Sequence, residues 1–264
     1  MSSISLPLRR RSFGETSRTD AWWVQPVVVF LGLSAFIVYA TWAAFQGEYY
    51  TVQGTNYLSP FYSPELWGNS KHAWFRPAPS WWPGWLPYSP ALLILWAPAG
   101  FRVTCYYYRG AYYKAFWADP PNCAVGEPRK GYIGESNWPL RIQNIHRYFL
   151  YIAVLFIFFL TWDAVHSFWF DDGFGVGVGT LVLSVNAFLL AGYTFGCHSM
   201  RHLVGGGKDC LSASPTCQKL YTGCSALNKR HMIWAWTSLC SVGFADVYVR
   251  MVAMDYWKDY RYIF

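Results

Sequence analysis

The chain has 264 residues, of which 54% are hydrophobic, 21% aromatic and 13% charged, with a formal net charge of +7. So apolar and aromatic a composition excludes an ordinary soluble domain and points to a membrane protein. The positive charge gathers in alternate connections, which makes it an orientation signal rather than a mark of nucleic-acid binding.

Residues 1–20 are basic and rich in Ser and Thr, without an apolar core ending in small residues, so residues 1–21 are expected to be a retained cytoplasmic segment and not a signal peptide. Five stretches have about the twenty residues that a helix needs to cross roughly 30 Å of hydrocarbon. They are residues 22–45, 86–107, 144–169, 176–196 and 231–253. The second holds Pro90 and Pro98, and a proline inside a helix predicts a kink. An all-α bundle of five transmembrane helices over residues 22–253 follows.

The connection 46–85 has only Lys71 and Arg76 and is rich in Pro, Trp and Tyr, which suits an ordered cap on the outer face. The connection 108–143 carries Arg109, Lys114, Arg129, Lys130 and Arg141, and 197–230 carries Arg201, Lys208, Lys219, Lys229 and Arg230. By the positive-inside rule these two loops and the N-terminus are cytoplasmic, and the tail 254–264 lies outside. Gly173, Gly175, Gly177 and Gly179 open the fourth span, and with no lysine following they suit close packing better than phosphate binding.

Four apolar runs begin or end on a soft metal ligand: Cys105, His146, Cys197 and His231. With the predicted topology all four lie at one membrane depth on the cytoplasmic side, where thiols stay reduced and available as ligands. Two cysteines and two histidines suit a Rieske-type [2Fe-2S] centre, in which imidazoles raise the potential, or a structural zinc ion. Two histidines alone would suit haem b. Cys105, Cys197, His146 and His231 are the favoured set, one from each of four spans. Cys123, His198 and His202 are substitutes. Cys210, Cys217 and Cys224 lie in a polar loop at irregular spacing and read as free thiols ahead of a zinc site.

Several long motifs resemble the membrane anchor of actinobacterial-type succinate dehydrogenase. They are Arg102-Val-Thr-Cys-Tyr-Tyr-Tyr-Arg109, Asn122-Cys-Ala-Val, Ile142-Gln-Asn-Ile-His-Arg-Tyr-Phe149, Cys197-His-Ser-Met-Arg-His202, Ala226-Leu-Asn-Lys-Arg-His-Met232 and Tyr57-Leu-Ser-Pro-Phe-Tyr-Ser-Pro64. The resemblance implies a five-helix anchor in the bacterial cytoplasmic membrane beneath a flavoprotein and an iron-sulfur subunit. It also implies a membrane-embedded Rieske-type cluster and electron delivery to a quinone, with menaquinone favoured. The cysteine-rich loop from Cys210 to Cys224 departs from the family's pattern. The chain has no Gly-x-Gly-x-x-Gly fingerprint and no ferredoxin-like cysteine run, so flavin and further clusters belong to partner chains. A haem b quinol oxidoreductase subunit and a non-redox membrane protein with structural zinc are the alternatives.

Arg102, Tyr107, Gln143, Asn144 and Arg147 lie near the inner ligands and are candidates to polarise a quinone carbonyl. Asp163, His166 and Asp246 place ionisable groups toward the outer ends of spans, where they suggest a proton path or a distal site. The loop 106–143, with Trp117, Trp138 and its basic residues, has the aromatic and charged mixture of a docking surface.

Overall fold

The computed structural model describes residues 11–76, 79–119, 124–128, 140–208 and 210–264. In chain order the helices are α1 (Val24–Gln46), α2 (Pro90–Ile94), α3 (Trp96–Thr104), α4 (Tyr106–Phe116), α5 (His146–His166), α6 (Val178–Phe195), α7 (His198–Val204), α8 (Pro215–Asn228) and α9 (His231–Ala253). Among the described residues, α1, α6, α9 and the segment Arg141–His166, which holds α5, are long and apolar enough to cross a membrane. They coincide with four of the predicted spans to within a few residues.

The segment predicted as the second span takes another form. Pro90 sits in the first turn of α2, where its missing N–H leaves no bond unmade. Pro98 has no N–H to give the carbonyl four residues earlier, and the helix breaks at Leu95. It breaks again at Cys105, whose backbone is extended (φ −64°, ψ 129°). The predicted span thus runs as two short helices broken at Leu95 and not as one continuous helix.

Helix α9 packs along α6, α6 along α5, and α3 along α5, while α4 lies against α1. Small residues allow the close approaches: a side chain at Gly192 would collide with the Trp234 ring of α9, and one at Gly100 with the Phe149 ring of α5. The outer flanks are apolar, with Val28, Leu31, Val38, Leu155, Phe158 and Phe188 exposed as lipid would require.

The connection 46–76 is folded as a cap over one end of the bundle. Tyr57, Ser59, Tyr62 and Ser63 have no exposed surface. The Tyr62 hydroxyl donates to Ala43 O at 2.7 Å, and its ring stacks on Tyr50 at 4.2 Å. At this end the turn and tail pair into a three-stranded antiparallel sheet of β1 (Trp169–Phe170), β2 (Gly173–Gly177) and β3 (Arg261–Ile263). Gly175 lies opposite Ile263, and Gly177 and Gly179 lie against Tyr57, so the glycine run serves close packing as expected.

Asp246 and Arg250 of α9 form an ion pair at 2.7 Å with neither side chain exposed. Tyr39 donates to Asp246 at 2.6 Å and Ser59 also donates to it, while Arg250 donates to Glu48 O and Ala43 O. The pair ties α1 and the cap to α9.

Candidate metal centre

Four helices begin at the four favoured ligands. Cys105 is the N-cap of α4 and Cys197 the N-cap of α7, both in extended conformation. His146 and His231 are the first residues of α5 and α9. The starts of α4, α7 and α9 direct N–H groups and the positive ends of their dipoles toward this region, an environment that favours thiolate and added negative charge, while α5 continues from a 3-10 helix over Leu140–Ile145.

The four side chains meet as two mixed pairs. His146 Nε2 lies 3.0 Å from Cys197 Sγ, and His231 Nε2 lies 3.8 Å from Cys105 Sγ. Cys105, Cys197 and His146 are buried, with 3%, 3% and 7% of their surface exposed. Burial, with the neighbouring Cys105 charge second, pushes the Cys197 thiol up to about 11. A thiolate there therefore needs a cation beside it.

Three further residues set the imidazoles. Thr104 Oγ1 lies 2.7 Å from Gly100 O, and since a carbonyl only accepts, the hydroxyl proton goes there. The same oxygen, 2.8 Å from His146 Nδ1, must then accept, so Nδ1 carries the hydrogen and Nε2 offers its lone pair beside Cys197. Phe101 stacks on His146 at 4.6 Å and Tyr193 on His231 at 5.0 Å. His231 Nδ1 is buried with no hydrogen-bond partner among the described residues. Two thiols, two imidazoles and an unpartnered ring nitrogen at converging helix starts fit a metal cofactor with mixed sulfur and nitrogen ligation. Among the described residues no three His, Cys, Asp or Glu side chains group around one point, as a lone ion would need.

A cavity of about 980 Å³ adjoins the four ligands and is also lined by Tyr107, Gln143 and Asn144, three of the expected quinone-site residues. Arg102 instead lines an apolar cleft of about 360 Å³ within the bundle, beside Phe101 and Tyr193. Its guanidinium donates to Tyr108 at 2.7 Å and Ser238 at 3.0 Å and lies over the Tyr193 ring. Arg147 is exposed, lies over Tyr148 and lines neither space.

Of the substitutes, His198 and His202 pair with each other at 3.0 Å on an exposed face of α7, and His198 alone reaches the cavity wall. Cys123 lies outside the described residues. Cys210, Cys217 and Cys224 form no disulfide among the described residues.

At the far end, Asp163 and His166 line a third cavity, whereas Asp246 is closed into its ion pair and lines none of the three. The sequence reading missed Thr104, Phe101 and Tyr193. Tyr193 stands four residues before Cys197, one helical turn back on the same face, and that spacing was the available signal.

The family model for the actinobacterial succinate dehydrogenase subunit SdhC matches residues 24–255. A chain of the Mycobacterium smegmatis Sdh1 complex in the apo form is similar over 100% of both chains, at 41% identity and a TM-score of 0.87. No curated protein sequence matches. The chain thus belongs to the family of actinobacterial succinate dehydrogenase membrane subunits, SdhC.

Proposed function

We propose that this chain anchors the flavoprotein and iron-sulfur subunits of a succinate dehydrogenase to the bacterial cytoplasmic membrane and passes their electrons to a quinone, menaquinone being favoured. One observation carries the reading: two cysteines and two histidines from four helix starts are brought together at one end of the bundle. Cys105, Cys197, His146 and His231 would hold a Rieske-type [2Fe-2S] cluster, which supplies one-electron transfer at a potential raised by its imidazole ligands. The presence of both thiols and imidazoles around one region supports mixed sulfur and nitrogen ligation over haem b, which takes imidazoles alone.

The protein's own part is positioning and electrostatics. Thr104 holds His146 in the tautomer that leaves Nε2 free. The converging helix starts favour added negative charge. Tyr107, whose oxygen accepts from Trp236 Nε1 at 2.8 Å, keeps its own hydroxyl hydrogen for a quinone carbonyl in the adjoining cavity, and the Gln143 and Asn144 amides can share that task. The cleft lined by Phe36, Phe156, Ile157 and Leu160 offers an isoprenoid tail an apolar bed. Its walls include Phe101 and Tyr193, the rings that stack on the two imidazoles.

The reading is tested by replacing His146 and His231 together with Ala in the assembled complex. Succinate-to-quinone electron transfer should fall to background, while succinate oxidation by a soluble dye persists. Quinone reduction at the wild-type rate would remove these two histidines from the centre.

A further inference from the structure

Arg102 stands on α3 one helical turn before Cys105, and its guanidinium reaches across to α9. It donates to the Tyr108 hydroxyl at 2.7 Å, to Ser238 Oγ at 3.0 Å and to Ala235 O at 3.3 Å. Ala235 and Ser238 follow His231 by one and two turns on the same face of α9, so the charge lies deeper in the bundle than that imidazole. The side chain is half-buried, and the space it opens on is the apolar cleft lined by Phe36, Ile157 and Leu160.

A cation at that depth is costly unless something opposes its charge. Arg250, toward the other end of α9, is neutralised by Asp246 at 2.7 Å. Arg102 meets no carboxylate among the described residues, and its hydrogen-bond partners are neutral. Tyr108 gives its own hydrogen to Ala235 O at 2.6 Å, so it is a phenol and not a phenolate.

Three other roles leave the charge unexplained. A strut between α3 and α9 needs no cation, since a neutral amide could bond the same acceptors without drawing a charge out of water. A contact for the quinone head would lie in the cavity of Tyr107, Gln143 and Asn144, which Arg102 does not line. A lipid phosphate would have to enter an apolar cleft below the level of His231. The metal centre is nearer. The guanidinium carbon lies 4.7 Å from the centre of the Tyr193 ring, and the His231 ring stacks on the same ring at 5.0 Å. Guanidinium and imidazole are therefore within about 10 Å of each other, no more than a typical Debye length, in a region where salt does not screen them. Two thiolates and two neutral imidazoles leave a [2Fe-2S] centre without net charge when oxidised and with one negative charge when reduced. The arginine thus gains an opposing charge only in the reduced state.

We propose that Arg102 is the fixed counter-charge of the reduced centre, stabilising the electron that arrives from the iron-sulfur subunit and raising the midpoint potential. This rests on the reading that Cys105, Cys197, His146 and His231 hold a Rieske-type cluster. Arg102 is a positioning residue and not a catalytic one: its charge acts through space beside Tyr193. The electron enters from the partner subunit and leaves to the quinone, and the guanidinium keeps its protons throughout.

The test is an anaerobic redox titration of the assembled complex followed by electron paramagnetic resonance, which reads the potential of the low-g signal independently of turnover. Arg102→Met should lower the one-electron reduction constant at least tenfold, about 59 mV. Arg102→Lys, which keeps the charge, should retain most of the wild-type potential. Ser238→Asp sets a carboxylate against the guanidinium, leaves it paired within the fold, and should lower the potential as Arg102→Met does. A role in packing alone would change stability or iron content and leave the potential of the remaining clusters where it was. An unchanged potential in both Arg102→Met and Ser238→Asp overturns the role of Arg102 and leaves the cluster reading intact. A wild-type complex without the low-g signal overturns the cluster reading and this inference with it.

Discussion

His146 donates from Nδ1 to Thr104 Oγ1 at 2.8 Å, and this bond decides which ring nitrogen faces Cys197. Thr104→Val keeps the shape, removes the acceptor and frees the imidazole to adopt either tautomer. Loss of such a supporting contact costs about 10–100-fold in cofactor retention or activity. We expect Thr104→Val to lower iron content and shift the electron paramagnetic resonance g values, and Thr104→Ser to restore both. Unaltered spectra in the valine variant would reduce Thr104 to a packing role.

Asp246 and Arg250 are fully buried and depend on each other. Removing one partner of such a pair leaves an unpaired buried charge, at about 3–5 kcal/mol. Arg250→Met and Asp246→Leu should each lower thermal stability strongly, and the double variant carrying both should lower it less than the sum. Additive losses, read by thermal unfolding of the complex, would show that the two do not act as a pair.

His72 gives a pH signature. Burial, reinforced by the nearby Lys71 and His166 charges, lowers its imidazole from 6.5 to about 4. Because the folded chain resists this protonation, the unfolded chain takes up the proton first, and stability falls with pH. His72's contribution is full above about 6.5 and is lost progressively down to about 4. His72→Phe should flatten the acid-side decline in unfolding temperature over that window, and an unchanged slope would show that folding does not alter the protonation of His72.

The sequence shows the four candidate ligands more plainly than the residues that support them. Cys105, His146, Cys197 and His231 are visible because each stands where an apolar run starts or stops, and helix ends at one depth in a bundle are neighbours. Thr104 and Tyr193 act through contacts that exist only once the chain breaks at Cys105 and α9 lies beside α6. Arg147 fails as a pocket residue because it is turned about 100° from His146 around α5, onto the exposed face. Asp246 stands four residues before Arg250, a spacing that announces a helical ion pair and argues against a proton path. The strands of the small sheet have two, five and three residues, too few for an alternating pattern to show.

Helix α4 has Tyr106 67% and Trp117, just beyond its end, 51% exposed, although Phe116 packs on Phe30 of α1. Of the expected docking loop, Arg129, Lys130 and Trp138 lie outside the described residues. If α4 receives the iron-sulfur subunit, stripping the soluble subunits should speed hydrogen exchange across residues 106–117 and amine labelling of Lys114. Unchanged protection would leave these rings as an interfacial belt only.

The most direct measurement of the central claim is electron paramagnetic resonance of the reduced, purified complex, with iron and acid-labile sulfide counted per chain. Mixed cysteine and histidine ligation predicts a reduced-cluster signal of low average g, additional to the clusters of the soluble partner, and its loss when Cys105 or His231 is replaced. A spectrum without that signal, accompanied by one zinc or by a haem band, would contradict it.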